Sequence, residues 1–342
     1  MRDLFIKLYE TLQAKEDAVL VTVVASSGSA PRGSGARMLV TKEGRIAGTI
    51  GGGAVEHRSI RAAMDALAGQ GNRSEHFRLH PNDVADIGMI CGGEVEVFFR
   101  YLSSKDTVCA LAGRIVELFA KKNPCWLITE LTTETEGALS VYTADGEHFG
   151  DDLPAEVFSA CADQPVQTEI KGKRYYIERL VSAGYVYIFG GGHVAQQLVP
   201  VLSRCDFDCI VVEDREDFAD PALFENRAKT ICLPMEELDT LIPKITKDDF
   251  ICVMTRGHKN DYLVQSAMLQ TPARYIGVIG SKKKIASVRE RLTADGFDEK
   301  EIARITAPIG IDIASETPAE IAVSIAAQLI LERNTKKRSL FR

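Results

Sequence analysis

Three consecutive glycines, Gly190-Gly191-Gly192, followed by His193-Val194-Ala195, stand between an apolar run at 185–189 and a helical pattern. Glycines at this spacing between a strand and a helix cradle a pyrophosphate. Gly190 would permit the tight turn, Gly192 would let the phosphates approach the backbone, and Ala195 would let the helix lie close to the sheet. Unpaired amides at the helix start also favour an anion. Asp214 ends the next apolar run, about 20 residues on, where a carboxylate accepts hydrogen bonds from a ribose diol. That acid favours NAD or an adenosine-like group, whereas Arg215 beside it could meet a 2'-phosphate. The same pattern also occurs in turns that bind nothing; strand, helix and acid together favour a nucleotide.

Two more segments fall at the ends of apolar runs: Thr255-Arg256-Gly257-His258 and Gly280-Ser281-Lys282-Lys283. Ligands of open parallel sheets bind outside the carboxyl ends of the strands, so both could line one crevice. Arg256 and His258 could bind phosphate or move a proton, or could simply be solvated loop residues. The lysine run reads as a solvated helix face. Earlier in the chain, Ile50-Gly51-Gly52-Gly53-Ala54 again joins a strand to a helix and could cradle a phosphate. Without an acidic partner downstream it is a weaker signal than Gly190-Gly191-Gly192, and taken alone it is a turn.

Met89-Ile90-Cys91-Gly92-Gly93 sets a thiol among glycines just ahead of an alternating run. A thiol so placed is little shielded and can meet neighbouring amides, which suits a reactive or metal-ligating thiolate. The bland alternative is a small residue at a tight strand entry. The eight cysteines include no CxxC pair, and Cys205 and Cys209 are the closest two. Cys109, Cys125, Cys232 and Cys252 lie in apolar segments and are expected to be buried thiols. His57, His76, His80 and His148 lack ligand spacing, and no Ser-His-Asp order, HExxH or Walker A motif occurs.

The elements that must position these residues fall into two halves. Residues 1–17 carry Leu4, Leu8 and Leu12 at helical spacing; 18–25 and 36–41 are β-rich and flank the loop 26–35. Lys42-Glu43-Gly44 reads as a hairpin turn into a third strand, and 54–68 as a helix. An alternating strand at 94–101, a helix at 107–121, a β pair at 126–131 and 139–142, and another within 167–180 complete an α+β half. From 185 onward short apolar strands, at 185–189, 209–212, 230–233, 250–254 and 275–279, alternate with helices. This predicts a doubly wound parallel sheet. The expected domains are 1–182 and 183–342. Thr317, Pro318 and Glu320 form a capping signature for the last helix.

A chain of 342 residues with 45% hydrophobic content can bury two cores. A net charge of -7 with dispersed lysines and arginines argues against nucleic acid and an anionic membrane surface as partners. The first residues lack a signal-peptide apolar run, so the cytoplasm is the expected location. The apolar stretch 321–331 is about half of the ~20 residues a membrane span needs.

The stretch 24–38, with Gly28-Ser29-Ala30-Pro31-Arg32-Gly33-Ser34-Gly35, then Gly48-Thr49-Ile50-Gly51-Gly52-Gly53-Ala54-Val55-Glu56, then Cys91-Gly92-Gly93, resembles the XdhC/CoxI domain of xanthine dehydrogenase accessory factors. The second half is similar to that family's Rossmann domain through Phe189 to Ala195, Val278-Ile279-Gly280-Ser281-Lys282 and Pro308-Ile309-Gly310. The resemblance spans nearly the whole chain in the family's order. It implies a non-catalytic chaperone that binds the molybdenum cofactor, as molybdopterin or its dinucleotide form, and protects it during sulfuration. It further implies delivery to a xanthine dehydrogenase-type apoenzyme, a cysteine desulfurase as second partner, and a homodimer. On matching positions, Cys91, with Gly92 and Gly93, is the implied thiol and metal ligand near the cofactor. Gly51, Gly52, Gly53 and Arg32 are implied pterin or phosphate contacts, and Gly190, Gly191, Gly192, His193 and Asp214, with Arg256, Gly280 and Ser281, the nucleotide pocket. The competing expectation is an NAD(P)-dependent oxidoreductase that uses the same pocket for hydride transfer. A scaffold protein ranks third, because it leaves two glycine loops unexplained.

Overall fold

The structure is a computed structural model that describes residues 1–28, 33–79, 93–133, 137–181 and 184–338. The chain divides into two compact units, Met1–Ser182 and Ala183–Arg342, each with its own cores. No helix among the described residues is long and apolar enough to cross a membrane.

The first unit contains α1 (Arg2–Gln13), β1 (Ala18–Gly28), β2 (Arg37–Thr41), β3 (Gly44–Thr49), α2 (Gly53–Ala68), β4 (Arg73–Leu79) and β5 (Gly93–Leu102). It continues with α3 (Asp106–Lys121), β6 (Cys125–Glu130), β7 (Leu139–Thr143), β8 (His148–Gly150), α4 (Ala155–Ser159), β9 (Val166–Ile170) and β10 (Lys173–Val181). Two antiparallel sheets result, ordered β3-β2-β1-β5-β4 and β8-β7-β6-β10-β9. Side chains alternate across β1 as a two-residue period requires. Ala18 and Leu20 pack with Leu4, Phe5 and Leu8 of α1 and Leu111 and Ile115 of α3, in a core shared with Leu127 and Val141 of the second sheet. Val19, Val21 and Val23 face the other way, onto Ala62, Ala63 and Ala66 of α2. Between the two sheets, Arg37 of β2 and Glu178 of β10 form an ion pair in which both side chains are only 3% exposed. A buried pair of this kind is costly to break from one side, because the remaining charge is stranded.

The second unit runs β11 (Val186–Phe189), α5 (His193–Arg204), β12 (Cys209–Glu213), β13 (Ala228–Cys232), β14 (Phe250–Val253), α6 (His258–Leu269), β15 (Tyr275–Val278), α7 (Lys282–Ala294), α8 (Glu299–Ile302), β16 (Ile305–Thr306) and α9 (Pro318–Arg338). All six strands are parallel, in the order β13-β12-β11-β14-β15-β16. This is the order of dinucleotide-binding folds, with the switch point between β11 and β14. Val186 and Ile188 pack against Leu198 and Leu202 of α5 and Ile325 and Leu329 of α9, while Tyr187 and Phe189 belong to the opposite core with Val264 and Met268 of α6. Burial on both faces explains the continuous apolar strands. At the start of α9, the Glu320 amide donates to Thr317 Oγ1 at 3.3 Å and the Thr317 amide donates to Glu320 Oε2 at 2.9 Å, the reciprocal cap that the sequence suggests.

Two cysteines depart from expectation. Cys125 and Cys252 are buried, but Cys232 is exposed and Cys109 only partly covered. Cys232 ends β13, an edge strand whose apolar composition does not guarantee cover on both sides.

Candidate functional site

In the second unit the glycine turn leaves β11 and enters α5 at the carboxyl ends of the strands. Gly190 has φ +110°, and a Cβ there would lie 2.4 Å from the Met254 carbonyl oxygen, so only glycine fits. At Gly191 a Cβ would lie 2.2 Å from the Phe218 carbonyl oxygen. Gly192, the N-cap of α5, has nothing within 4 Å of such an atom and no side chain caps the helix. The helix start is therefore open, with exposed His193 as its first residue. Ala195 is buried and lets α5 pack on the sheet.

The acid that closes the turn is Glu213, which the sequence reading passed over in favour of its neighbour. Strand β12 ends on Glu213, not Asp214. Its carboxylate accepts from the Gly191 amide at 2.7 Å, from Arg215 Nε at 2.8 Å and Nη2 at 3.1 Å, and from the Asp214 amide at 3.2 Å. Burial would raise the Glu213 carboxyl, but hydrogen bonds from Arg215, Asp214 and Gly191 outweigh it and hold it at about 2. Asp214 is shifted upward, chiefly by its hydrogen bond with Glu213 and by partial burial. It is the more open of the two carboxylates and accepts from Asn260 Nδ2 at 3.0 Å. Adjacent acids at the end of a strand were the available signal.

The other expected segments meet the same edge. Thr255 follows β14 and its hydroxyl donates to Asp261 of α6, whose buried carboxylate also pairs with Lys284 of α7. Arg256 is exposed, and Gly257, at φ +94°, leads into α6; the side chain of His258 lies outside the described residues. Gly280 follows β15, and Ser281 caps α7 by accepting from the Lys284 amide at 3.4 Å. Lys282 and Lys283 are exposed, as a solvated face requires, but Lys284 turns inward. Helical rotation separates residues that a run of identical letters makes look alike.

In the first unit, strand register gathers the glycine motifs. Gly28 at the end of β1 pairs with Gly93 at the start of β5, and Arg37 at the start of β2 pairs with Thr49 at the end of β3. The end of the first loop, the Gly51-Gly52-Gly53 turn and Gly93 therefore lie at one end of one sheet. Arg32, Cys91 and Gly92 lie outside the described residues. The turn does have an acidic partner, contrary to the expectation from sequence. Glu56 Oε2 accepts from Thr49 Oγ1 at 2.5 Å, the Ile50 amide at 3.0 Å and the Gly52 amide at 3.1 Å. Burial would raise this carboxyl, but the Thr49, Gly52 and Ile50 hydrogen bonds bring it below its ordinary range. Those amides already hold an anion, which leaves less of the turn for a phosphate. Gly52 has open space where a Cβ would stand, so a flat ligand can still approach the backbone there.

A pocket of about 960 Å³ lies elsewhere in this unit, lined among others by Asp17, Arg100, Glu130 and Lys173. Lys173 pairs there with Glu130 at 3.1 Å, and Asp17 accepts from the Tyr101 hydroxyl and the Ser104 amide at 2.7 Å. Arg100 donates to the Gly137 carbonyl through Nη2, while its buried Nε and Nη1 have no hydrogen-bond partner among the described residues.

Residues 11–78 match the XdhC and CoxI family, and residues 186–329 match the XdhC Rossmann domain. The chain is 25% identical over 320 residues to the uncharacterized protein YqeB of Escherichia coli K12, an alignment that covers 92% of this chain and 43% of YqeB. It thus spans less than half the length of that relative. It is 25% identical to a probable xanthine dehydrogenase subunit of Bacillus subtilis, with 96% of each chain covered. It is 23% identical to the molybdenum cofactor insertion chaperone PaoD of Escherichia coli K12, covering 94% of this chain and 85% of PaoD. A Bacillus halodurans crystal structure described as a xanthine dehydrogenase has the same fold, with a TM-score of 0.79, 23% identity and coverage of 98% and 97%. With both domains matched in order on a two-unit architecture of that fold, the chain belongs to the XdhC and CoxI family.

Proposed function

We propose that this chain is an accessory factor that binds the molybdenum cofactor, shields it during sulfuration and delivers it to a xanthine dehydrogenase-type apoenzyme. The observation that carries this reading is the strand register that brings Gly28, Gly93 and the Gly51-Gly52-Gly53 turn to one end of the first sheet, in a chain similar over most of its length to a molybdenum cofactor insertion chaperone. The glycine-lined edge suits a flat pterin because no side chain stands at Gly52. With Glu56 occupying the turn, the phosphate or metal contacts fall to Arg32 and to Cys91, whose soft thiolate suits sulfur-rich metal chemistry. The partners in this reading are the apoenzyme, a cysteine desulfurase and a second copy of the chain, all in the cytoplasm. The test is transfer: chain loaded with cofactor should activate a xanthine dehydrogenase apoenzyme in vitro, and chain without cofactor should not. Failure of the loaded chain to activate it would refute the delivery reading.

The second reading, an NAD(P)-dependent oxidoreductase, is favoured by one observation, the glycine turn closed by Glu213 at the switch point of a parallel sheet. A nicotinamide absorbance change with purines or aldehydes would promote it. Nucleotide binding without turnover favours delivery.

A further inference from the structure

The ribose corner of the Rossmann crevice carries two contradictory letters in sequence, an acid and an arginine side by side. An acid at this place hydrogen-bonds a free ribose diol, whereas an arginine accommodates a 2'-phosphate. The geometry separates them. Arg215 does not extend toward the ligand side: its guanidinium forks onto the Glu213 carboxylate, Nε at 2.8 Å and Nη2 at 3.1 Å, and lies over the Phe218 ring with its carbon 3.8 Å from the centroid. Glu213 is 3% exposed and tied to the glycine turn through Gly191. If Arg215 swung out, it would strand a buried carboxylate, which is the costly way to break such a pair. Asp214 remains open at the same corner, anchored by Asn260. The neighbouring cation Lys259 is paired with Glu236 at 2.6 Å. A phosphate dianion arriving here would meet two carboxylates and a guanidinium already engaged.

We propose that the crevice selects nucleotides whose ribose 2'-hydroxyl is free, and that Glu213 is the positioning residue that enforces this by holding Arg215 back. The inference rests on the reading of this crevice as a nucleotide site, and it deepens that reading by naming the class accepted. A nicotinamide dinucleotide and the nucleotide part of a dinucleotide cofactor share the free diol, so a dinucleotide and a simple nucleoside diphosphate both belong among the probes.

The experiment is calorimetry on the full chain with NAD+, NADP+ and CDP. NAD+ or CDP should bind at least about tenfold more tightly than NADP+. Whichever of the two is tighter identifies the source and supports the rule. Glu213→Gln, which frees Arg215 and removes a negative charge, should shrink the preference by about tenfold. Arg215→Ala should leave NADP+ affinity unlowered, because the side chain makes no phosphate contact; this variant serves as the test if Glu213→Gln folds poorly. Equal or tighter NADP+ binding by the parent chain, or a tenfold loss of NADP+ affinity in Arg215→Ala, would overturn the selectivity while leaving a nucleotide site in place. No binding of any probe would overturn both.

Discussion

The main-chain amide of Gly191 donates a 2.7 Å hydrogen bond to the carboxylate of Glu213, which fastens the glycine turn to the end of the neighbouring strand. Two residues further on, Arg215 closes on the same carboxylate, so one buried acid organises both the glycine turn and the chain that leaves β12.

This arrangement makes stability acid-sensitive. The Glu213 carboxyl sits at about 2 in the folded chain against an ordinary 4.5, so its stabilisation is complete above 4.5 and is lost as pH falls toward 2. Asp214 is shifted in the opposite direction, and its effect is constant below its ordinary 3.8, so of these two neighbours only Glu213 contributes a loss between 3.8 and about 2. The comparison with a Glu213 variant isolates that loss from the other lowered carboxyls. Glu213→Gln should be less stable than the parent at neutral pH, and the gap should narrow across that acid window in chemical denaturation. A gap independent of pH would show that the ionised carboxylate is not what counts.

Glycine substitutions should separate fold from ligand. Gly190→Ala places a Cβ against the Met254 carbonyl at φ +110° and should cost more than about 1 kcal/mol by denaturant midpoint. Gly192→Val meets open space and should leave the midpoint close to the parent's while abolishing nucleotide binding, since the branched side chain occupies the pyrophosphate position. Unchanged calorimetric binding in Gly192→Val would mean that the pocket is elsewhere.

Glu56→Ala should destabilise the first unit by about 1–3 kcal/mol, because the Ile50 and Gly52 amides and the Thr49 hydroxyl lose a charged acceptor. An added oxyanion such as phosphate should restore part of that loss and stabilise the variant more than the parent. Equal responses of the two proteins would contradict the view that Glu56 fills the turn.

What could be read from the sequence follows from local physics. The strands of the parallel sheet are visible because burial on both faces demands unbroken apolar runs, and the cap of α9 is visible because Thr317 and Glu320 are three residues apart. Glu213 was missed because every residue of β12 is buried, so alternation gives no clue to which acid turns inward. Glu56 was missed because its partner amides precede it: it reaches back from the first turn of α2, where a negative charge also suits the helix dipole. The Arg37–Glu178 pair joins two sheets across a long stretch of chain, which no local pattern encodes.

The proposed cofactor delivery places the cofactor at the end of the first sheet, and Cys91, which directly precedes Gly92 and Gly93, is the sharpest test of that proposal. Cys125 makes a better control than Cys109, since it is fully buried and Cys109 is not. Cys125→Ala should cost on the order of 1 kcal/mol in stability while still delivering cofactor once folded. Cys91→Ala should keep the parent's denaturation midpoint yet lose most molybdenum-cofactor retention and most activation of a xanthine dehydrogenase apoenzyme in a reconstituted transfer assay. If Cys91→Ala retains and delivers the cofactor as well as the parent chain, the thiol is structural and the proposed cofactor site is contradicted.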